Sequence, residues 1–112
     1  MPLDFYPVTA YIVTVHVLFE NAELARLETD VGFSAGFQPG IVKAFRKRMQ
    51  QIRAAPDERD FFALKSLRFE KLKGKRSHQY SMRLNDQYRL IMEFEGDGAN
   101  KNLKIMGIED YH

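Results

Sequence analysis

The side chains best suited to chemistry lie in the second half of the chain. Residues 63–89 have a net charge of +6, whereas residues 1–37 have a net charge of −4. Such a local excess suits an anionic partner, although a solvated lysine-rich surface would have the same composition. The eight basic residues of the segment are Lys65, Arg68, Lys71, Lys73, Lys75, Arg76, Arg83 and Arg89.

Composition limits the other kinds of chemistry. Cysteine is absent, which excludes disulfides, thiolate metal sites and a cysteine nucleophile. Three scattered histidines have no ligand spacing, so we expect neither a metal nor a cofactor. The N-terminus carries Asp4 where a signal peptide would be basic, and the apolar stretch 11–19 is too short for a membrane span. We therefore expect a soluble, cytoplasmic protein with no membrane partner.

The first half of the chain predicts one strand and two helices. Residues 1–9, with two prolines, form an extended lead-in, and strict alternation from Tyr11 to Phe19 predicts a strand. Asn21 can cap a short helix, for which the apolar residues Leu24, Leu27 and Val31 have helical spacing. After a glycine-containing loop, a second helix is expected from Pro39 to about Ala54. Its apolar stripe is Ile41, Phe45, Met49 and Ile52, and its basic residues Lys43, Arg46, Lys47 and Arg53 would face solvent or a partner.

The second half predicts strands. After a connector at residues 55–62, Gln79–Leu84 and Tyr88–Phe94 flank a turn and form a hairpin. Residues 96–100 form a second turn, and Asn102–Ile108 is the last strand. An N-terminal strand, two helices and an antiparallel β meander make an α+β domain with helices on one face of the sheet, and residues 1–112 are expected to form a single domain.

Alternation along the hairpin separates its side chains onto two faces. Arg83 and Arg89 fall on the same face, beside the basic loop that precedes the hairpin. A concave electropositive surface is one interpretation. The alternative is that these arginines simply pair with Glu93 or Glu95.

Three segments in order resemble a known family. They are Leu72-Lys73-Gly74-Lys75-Arg76, the hairpin segment from Gln79 to Arg89 with its turn Asn85-Asp86-Gln87, and the terminal Asp110-Tyr111-His112. Together they resemble the HigB branch of the RelE/ParE toxin superfamily, the plasmid-maintenance killer proteins. The resemblance covers residues 11–112 in element order. Lys75 departs from it, because an acid is usual there, and Glu70 lies where members have a histidine or a glutamate.

The resemblance implies a RelE-like ribonuclease fold and the toxin of a type II toxin–antitoxin system. Such toxins are ribosome-dependent endoribonucleases that cut mRNA without a metal. They are neutralised by a HigA-like helix-turn-helix antitoxin, and the pair binds operator DNA. Carried over by motif, the catalytic residues are Lys73, Arg89, Asp110, Tyr111 and His112. Lys71, Lys75, Arg76 and Arg83 would bind RNA.

These residue types fit metal-free RNA cleavage. The ribose 2′-hydroxyl attacks the phosphate, so the site needs a base, an acid and positive charge. Lys73 and Arg89 suit the charge, and His112 is the leading candidate for proton transfer because histidine titrates near neutrality. Tyr111 could stack on a nucleobase of the RNA or take part in proton transfer. Two alternatives stay open: a ParE-like gyrase poison without nuclease activity, and a non-catalytic nucleic-acid-binding module.

Overall fold

The computed structural model describes residues 16–96 and 101–111. Its strands are β1 (His16–Phe19), β2 (Glu70–Lys71), β3 (Gln79–Arg83), β4 (Tyr88–Glu95) and β5 (Asn102–Asp110). Its helices are α1 (Ala22–Thr29), α2 (Pro39–Ala54) and α3 (Arg59–Ala63), with 3₁₀ turns at Lys65–Leu67 and Gly74–Arg76. The expected lead-in, residues 11–15 of the expected first strand, most of the turn at 96–100, and His112 lie outside the described residues.

The strands form one sheet in the order β1-β5-β4-β3-β2. Strands β2 to β5 pair in antiparallel fashion, while β1 runs parallel to β5. The predicted meander is thus present. The first strand joins it at the far edge, and the two-residue β2, which the sequence did not indicate, extends the other edge. The last strand also runs two residues past the predicted end at Ile108.

The two long helices form where the sequence predicted them. The side chain of Asn21 accepts a hydrogen bond from the amide of Leu24 at 3.0 Å and so caps α1. Pro39 begins α2, where its missing amide hydrogen costs nothing. The stripe Ile41, Phe45, Met49 and Ile52 is buried in the core. None of the helices in the described residues combines the length and hydropathy that a membrane span requires.

The core lies between the helices and one face of the sheet. Alternate residues of the three central strands point into it, including Met82, Leu90 and Met92, which are fully buried. Because the period of a strand is two, the residues between them must lie on the opposite face. That second face carries Ser81, Arg83 and Arg89.

Two local expectations were wrong. Residues 55–62 are not a plain connector: they include the start of α3, where Phe61 is buried and packs its ring edge-on against Phe69 at a centroid distance of 5.3 Å. A five-residue helix is too short for periodicity to reveal. Val31 is not part of the apolar stripe of α1, because the helix ends at Thr29 and the Val31 side chain is 87% exposed.

Candidate active site

The β3–β4 hairpin brings its arginines together on the face of the sheet opposite the helices. Arg83 and Arg89 lie directly across from each other in the antiparallel register. The side chain of Asn85 tightens the turn, accepting hydrogen bonds from the amides of Gln87 at 2.8 Å and Tyr88 at 2.7 Å. Strand β5 then places Glu109 opposite Arg89 on the other side. The predicted shared face of the hairpin is confirmed.

Arg89 is the most constrained side chain of this face, with only 6% of its surface exposed. Its Nε donates a hydrogen bond to Ser81 Oγ at 2.9 Å, and Nη2 donates to the carbonyl of Arg68. The carboxylate of Glu70 lies 3.5 Å from Nη2. Burial lowers the pKa of Arg89, and Glu70 and Tyr111 oppose that shift. Since arginine ionises far above neutrality, the guanidinium stays charged.

Two further residues position Arg89: Arg68, through its backbone carbonyl, and Tyr111, through its ring. Arg68 adopts a left-handed backbone conformation with φ of 48°, unusual for a residue with a Cβ, and this turns its carbonyl toward Arg89. The ring of Tyr111 covers the other side, with its centroid 4.9 Å from the guanidinium carbon. The amide of Tyr111 is held by the carbonyl of Gln87 at 2.6 Å. The guanidinium is therefore fixed from several directions before any ligand binds.

Arg89 opens into a polar cavity of about 430 Å³ at this end of the sheet. Three of the sequence-predicted residues, Arg83, Arg89 and Tyr111, line it together. The cavity also has four residues that sequence reasoning did not assign to the site: Ser66, Arg68, Asn85 and Asp86. From the sequence, Asn85 and Asp86 could be recognised only as residues of the hairpin turn. Arg68 was visible only as part of the basic segment, because its role depends on a tertiary contact.

The arginines of this face have carboxylate partners. Arg83 pairs with Asp86 in the hairpin turn. Arg76 makes two hydrogen bonds to Glu109, at 2.9 and 2.7 Å, and a third to Gln79 at 2.9 Å. These contacts with Glu109 raise the pKa of Arg76. The charge of this surface is therefore smaller than a count of its basic residues indicates, because Arg76, Arg83 and Arg89 each have an acidic neighbour.

The partners are also not those that the sequence suggested. Glu93 lies 3.4 Å from His78, and Glu95 lies 3.5 Å from Lys104. The alternative in which Arg83 or Arg89 pairs with Glu93 or Glu95 is therefore wrong. Acids on other elements take that role, since strand spacing predicts faces and not the reach of long side chains.

The remaining predicted residues lie away from the cavity lining. Lys71 is opposite Tyr80 in the register and so belongs to the other face of the sheet. Lys73 and Lys75 are exposed on either side of Gly74, whose φ of +67° favours glycine. Asp110 pairs with Tyr88 in the register and accepts a hydrogen bond from Gln87 at 3.1 Å, on the face opposite Arg89. His112 lies outside the described residues, so its role stays a prediction.

Two further features bear on the choice of site. A larger cavity of about 620 Å³ lies between the loop after α1 and helix α2, but it is mostly apolar and its titratable side chains are all basic. It therefore offers no acid–base pair. Within residues 16–96 and 101–111, no group of three or more histidine or acidic side chains is placed to hold a metal ion. The polar cavity at Arg89 is the better candidate for chemistry.

The fold and the cavity together define a class: a small α+β domain with helices on one face of its sheet and an arginine-lined cavity on the other. A family model described as the RelE-like toxin of type II toxin–antitoxin system HigB matches residues 18–112. The protein belongs to this HigB-like toxin family, and the recognition from sequence is confirmed. Membership of a type II system implies an antitoxin partner.

Two solved structures are similar at low sequence identity. A YoeB/ParE toxin from Agrobacterium tumefaciens is 14% identical with a TM-score of 0.55, covering 88% of this chain and 100% of that one. YoeB from Staphylococcus aureus, described as a dimer, is 18% identical with a TM-score of 0.47, covering 89% of this chain and 99% of that one. No curated protein matches this chain. The first likeness and the family match confirm the predicted RelE-like α+β fold.

Proposed function

We propose that the protein is a ribosome-dependent endoribonuclease that cuts mRNA and so inhibits translation. The observation that carries the proposal is the preorganised Arg89, buried, held by Ser81 and Arg68, and open to a polar cavity. A fixed guanidinium can stabilise the charge that develops on a phosphorane, and it does so without reorganising during the reaction. A ribosomal target would place this activity in the cytoplasm.

The neighbours of Arg89 suit the other steps. Cleavage requires a base for the 2′-hydroxyl and an acid for the 5′-oxygen. Glu70 lies close enough to Arg89 to take the proton of a hydroxyl held beside that guanidinium. The ring of Tyr111 covers Arg89 and could also stack against a nucleobase of the RNA. We keep His112 and Asp110 as proton-transfer and orienting residues, and Lys73 as a second phosphate contact, on the motif alone.

The dependence on the ribosome follows from the modest chemistry of the site. A site with few acid–base groups gains most if its substrate arrives already bent for in-line attack. The ribosome would supply that geometry. A HigA-like helix-turn-helix antitoxin would neutralise the toxin, and the complex would bind operator DNA. Lys75, Arg76 and Arg83 would contact the RNA backbone, and so would Lys71 if the RNA extends past the β2 edge to the other face of the sheet.

Induction of this chain alone, beside His112→Ala and Arg89→Ala variants, tests the proposal. We expect growth arrest and cleavage of translated mRNAs, both relieved by either substitution. Arrest with intact mRNA and DNA damage would favour a gyrase poison of the ParE type. RNA binding with steep salt dependence but no arrest would favour a non-catalytic binding module.

A further inference from the structure

Three of the arginines around the face of the sheet opposite the helices already have an acidic neighbour. Arg83 pairs with Asp86, which is 98% exposed and only three residues away in a turn. Arg89 is buried, and its acidic neighbour is Glu70, whose carboxylate lies 3.5 Å from Nη2. The third pair, Arg76 with Glu109, joins two separate elements through two hydrogen bonds.

The geometry of the Arg76–Glu109 pair resembles that of an arginine–phosphate contact. Both terminal nitrogens of Arg76 point at the two carboxylate oxygens, in the fork that guanidinium also makes with phosphate. Gln79 holds the remaining Nε at 2.9 Å and so fixes the plane of the group. The edge of Arg76 that a phosphate would use is therefore occupied by Glu109.

The position and exposure of the pair would also allow a ligand to take the place of Glu109 on Arg76. Glu109 lies opposite Arg89 in the β4–β5 register and two residues before Tyr111, so it is close in the sheet to two residues that line the cavity. Both side chains are 46% exposed. Ion pairs with this exposure are weak in water, and exchanging one acceptor for another costs little. A phosphate bound at Arg76 would also be repelled by the carboxylate of Glu109.

We propose that Glu109 is an internal counter-ion that RNA phosphate must displace from Arg76, and that it thereby sets the affinity of the site for RNA. This inference rests on the proposed ribonuclease function and adds a regulatory residue to the same site. Glu109 is not a catalytic residue in this scheme. By weakening contact with free RNA, it makes cleavage depend more strongly on RNA that the ribosome presents.

The test compares Glu109→Gln with a matched control elsewhere in the chain. Glu28 and Arg53 also make an ion pair with two hydrogen bonds, donated here by Nε and Nη2 of the arginine, between α1 and α2 on the other side of the sheet. Glu28→Gln therefore frees an arginine and changes the net charge equally, but away from the site. The full-length variants would be titrated with a short fluorescein-labelled single-stranded RNA carrying 2′-O-methyl groups, so that binding is measured without cleavage.

We expect Glu109→Gln to tighten RNA binding about two- to fivefold at moderate salt, the range in which a half-exposed ion pair acts. We also expect a steeper salt dependence, because one more phosphate contact adds about 0.7 to the slope for single strands. A purely structural role of Glu109 would leave that slope unchanged. Glu28→Gln should match the wild type in both measurements.

The outcomes separate this inference from the proposed function. If Glu109→Gln binds RNA like Glu28→Gln while the wild type still cleaves mRNA on ribosomes, the counter-ion role is wrong and the ribonuclease proposal stands. If neither the wild type nor Glu109→Gln binds the RNA at low salt, and mRNA stays intact on ribosomes, both proposals fail. A gain in binding accompanied by faster cleavage of unmodified free RNA supports both.

Discussion

Two buried arginines, Arg48 and Arg89, have nearly the same burial and different surroundings. They are 9% and 6% exposed, and burial lowers the pKa of both. Arg48, on α2, donates to the carbonyl of Arg83 at 2.7 Å and to the side chain of Gln51 at 3.0 Å. Arg89 borders the polar cavity under the ring of Tyr111. Burial of a charge alone thus does not distinguish the two arginines; the cavity beside Arg89 does, and it makes Arg89 the candidate for function.

The difference has a simple physical origin. Arg48 lies between the helical layer and the end of β3, where its hydrogen bonds tie α2 to the hairpin. Arg89 lies on the sheet face without helices, so its partners hold it without enclosing it. Both meet the requirement that a buried charge be hydrogen-bonded. We infer that Arg48 serves stability and Arg89 serves the reaction, which the following substitutions test.

The largest effect is expected for Arg89→Lys. An ammonium keeps the charge but cannot reach the Ser81 hydroxyl and the Arg68 carbonyl while also presenting a fork to a phosphate. We expect mRNA cleavage on ribosomes to fall by about 10²–10³, as when one preorganised donor is removed. Single-turnover rates, normalised to folded protein, would measure this. The matched Arg48→Lys should retain cleavage within about threefold, and equal losses would contradict the division of roles.

A smaller effect, on stability alone, is expected for Arg48→Met. Methionine fills the space but leaves the carbonyl of Arg83 without its buried donor. An unsatisfied buried acceptor costs about 1–3 kcal/mol, which urea unfolding would detect. Cleavage per folded molecule should stay at the wild-type level. A loss of cleavage without a loss of stability would mean that Arg48 supports the site.

The helices and the hairpin could be predicted because their signals are local. The stripe of α2 repeats over about three turns, and Asn21 and Pro39 mark helix starts by their own chemistry. Alternation alone predicts that Arg83 and Arg89 share one face of the hairpin, as they do. The short helix α3 and the strand β2 lack such signals. They form because Phe61 and Phe69 pack together and because Glu70 and Lys71 reach the edge of the sheet.

The candidate site was predictable only in part, because its contacts join distant residues. The motif indicated Arg89 and Tyr111, but no local pattern links Arg89 to Arg68, 21 residues earlier. Counting basic residues also predicted a positive surface and overlooked the acids that pair with it. Glu109 is 33 residues from Arg76, and only the sheet brings them together. Charge in a segment therefore overstates the charge on a face.

A further effect, smaller than that of Arg89→Lys, is expected at Tyr111. The ring face contacts the guanidinium, a cation–π interaction that contributes about 0.5–2 kcal/mol. We therefore expect Tyr111→Leu to reduce cleavage about threefold to tenfold, and Tyr111→Phe to keep most of the activity. If Tyr111→Phe instead reduces the rate by about 10² or more, the hydroxyl transfers a proton. Single-turnover rates on programmed ribosomes distinguish the two.

The smallest effect is expected where neither partner is buried, at Asp30 and Arg26. The Arg26 guanidinium, at 2.9 Å, lowers the pKa of the Asp30 carboxyl, and the amide of Gly32 adds to this. Because the pKa is lower in the folded state, the pair stabilises the fold at neutral pH. That stabilisation is lost as the pH falls below about 4 and the carboxyl is protonated.

Asp30→Asn should therefore lower stability slightly at pH 7 and leave it unchanged in acid, where wild-type Asp30 is already protonated. Urea unfolding across this pH range would show a shallower dependence than in the wild type. Arg26→Gln should have a similar effect, and the double variant should lose less than the two single losses together, since they share one contact. The contrast between buried and exposed arginines fails if Asp30→Asn loses as much stability at pH 7 as Arg48→Met. In that case, exposure does not determine how much a charged contact contributes to the stability of this protein.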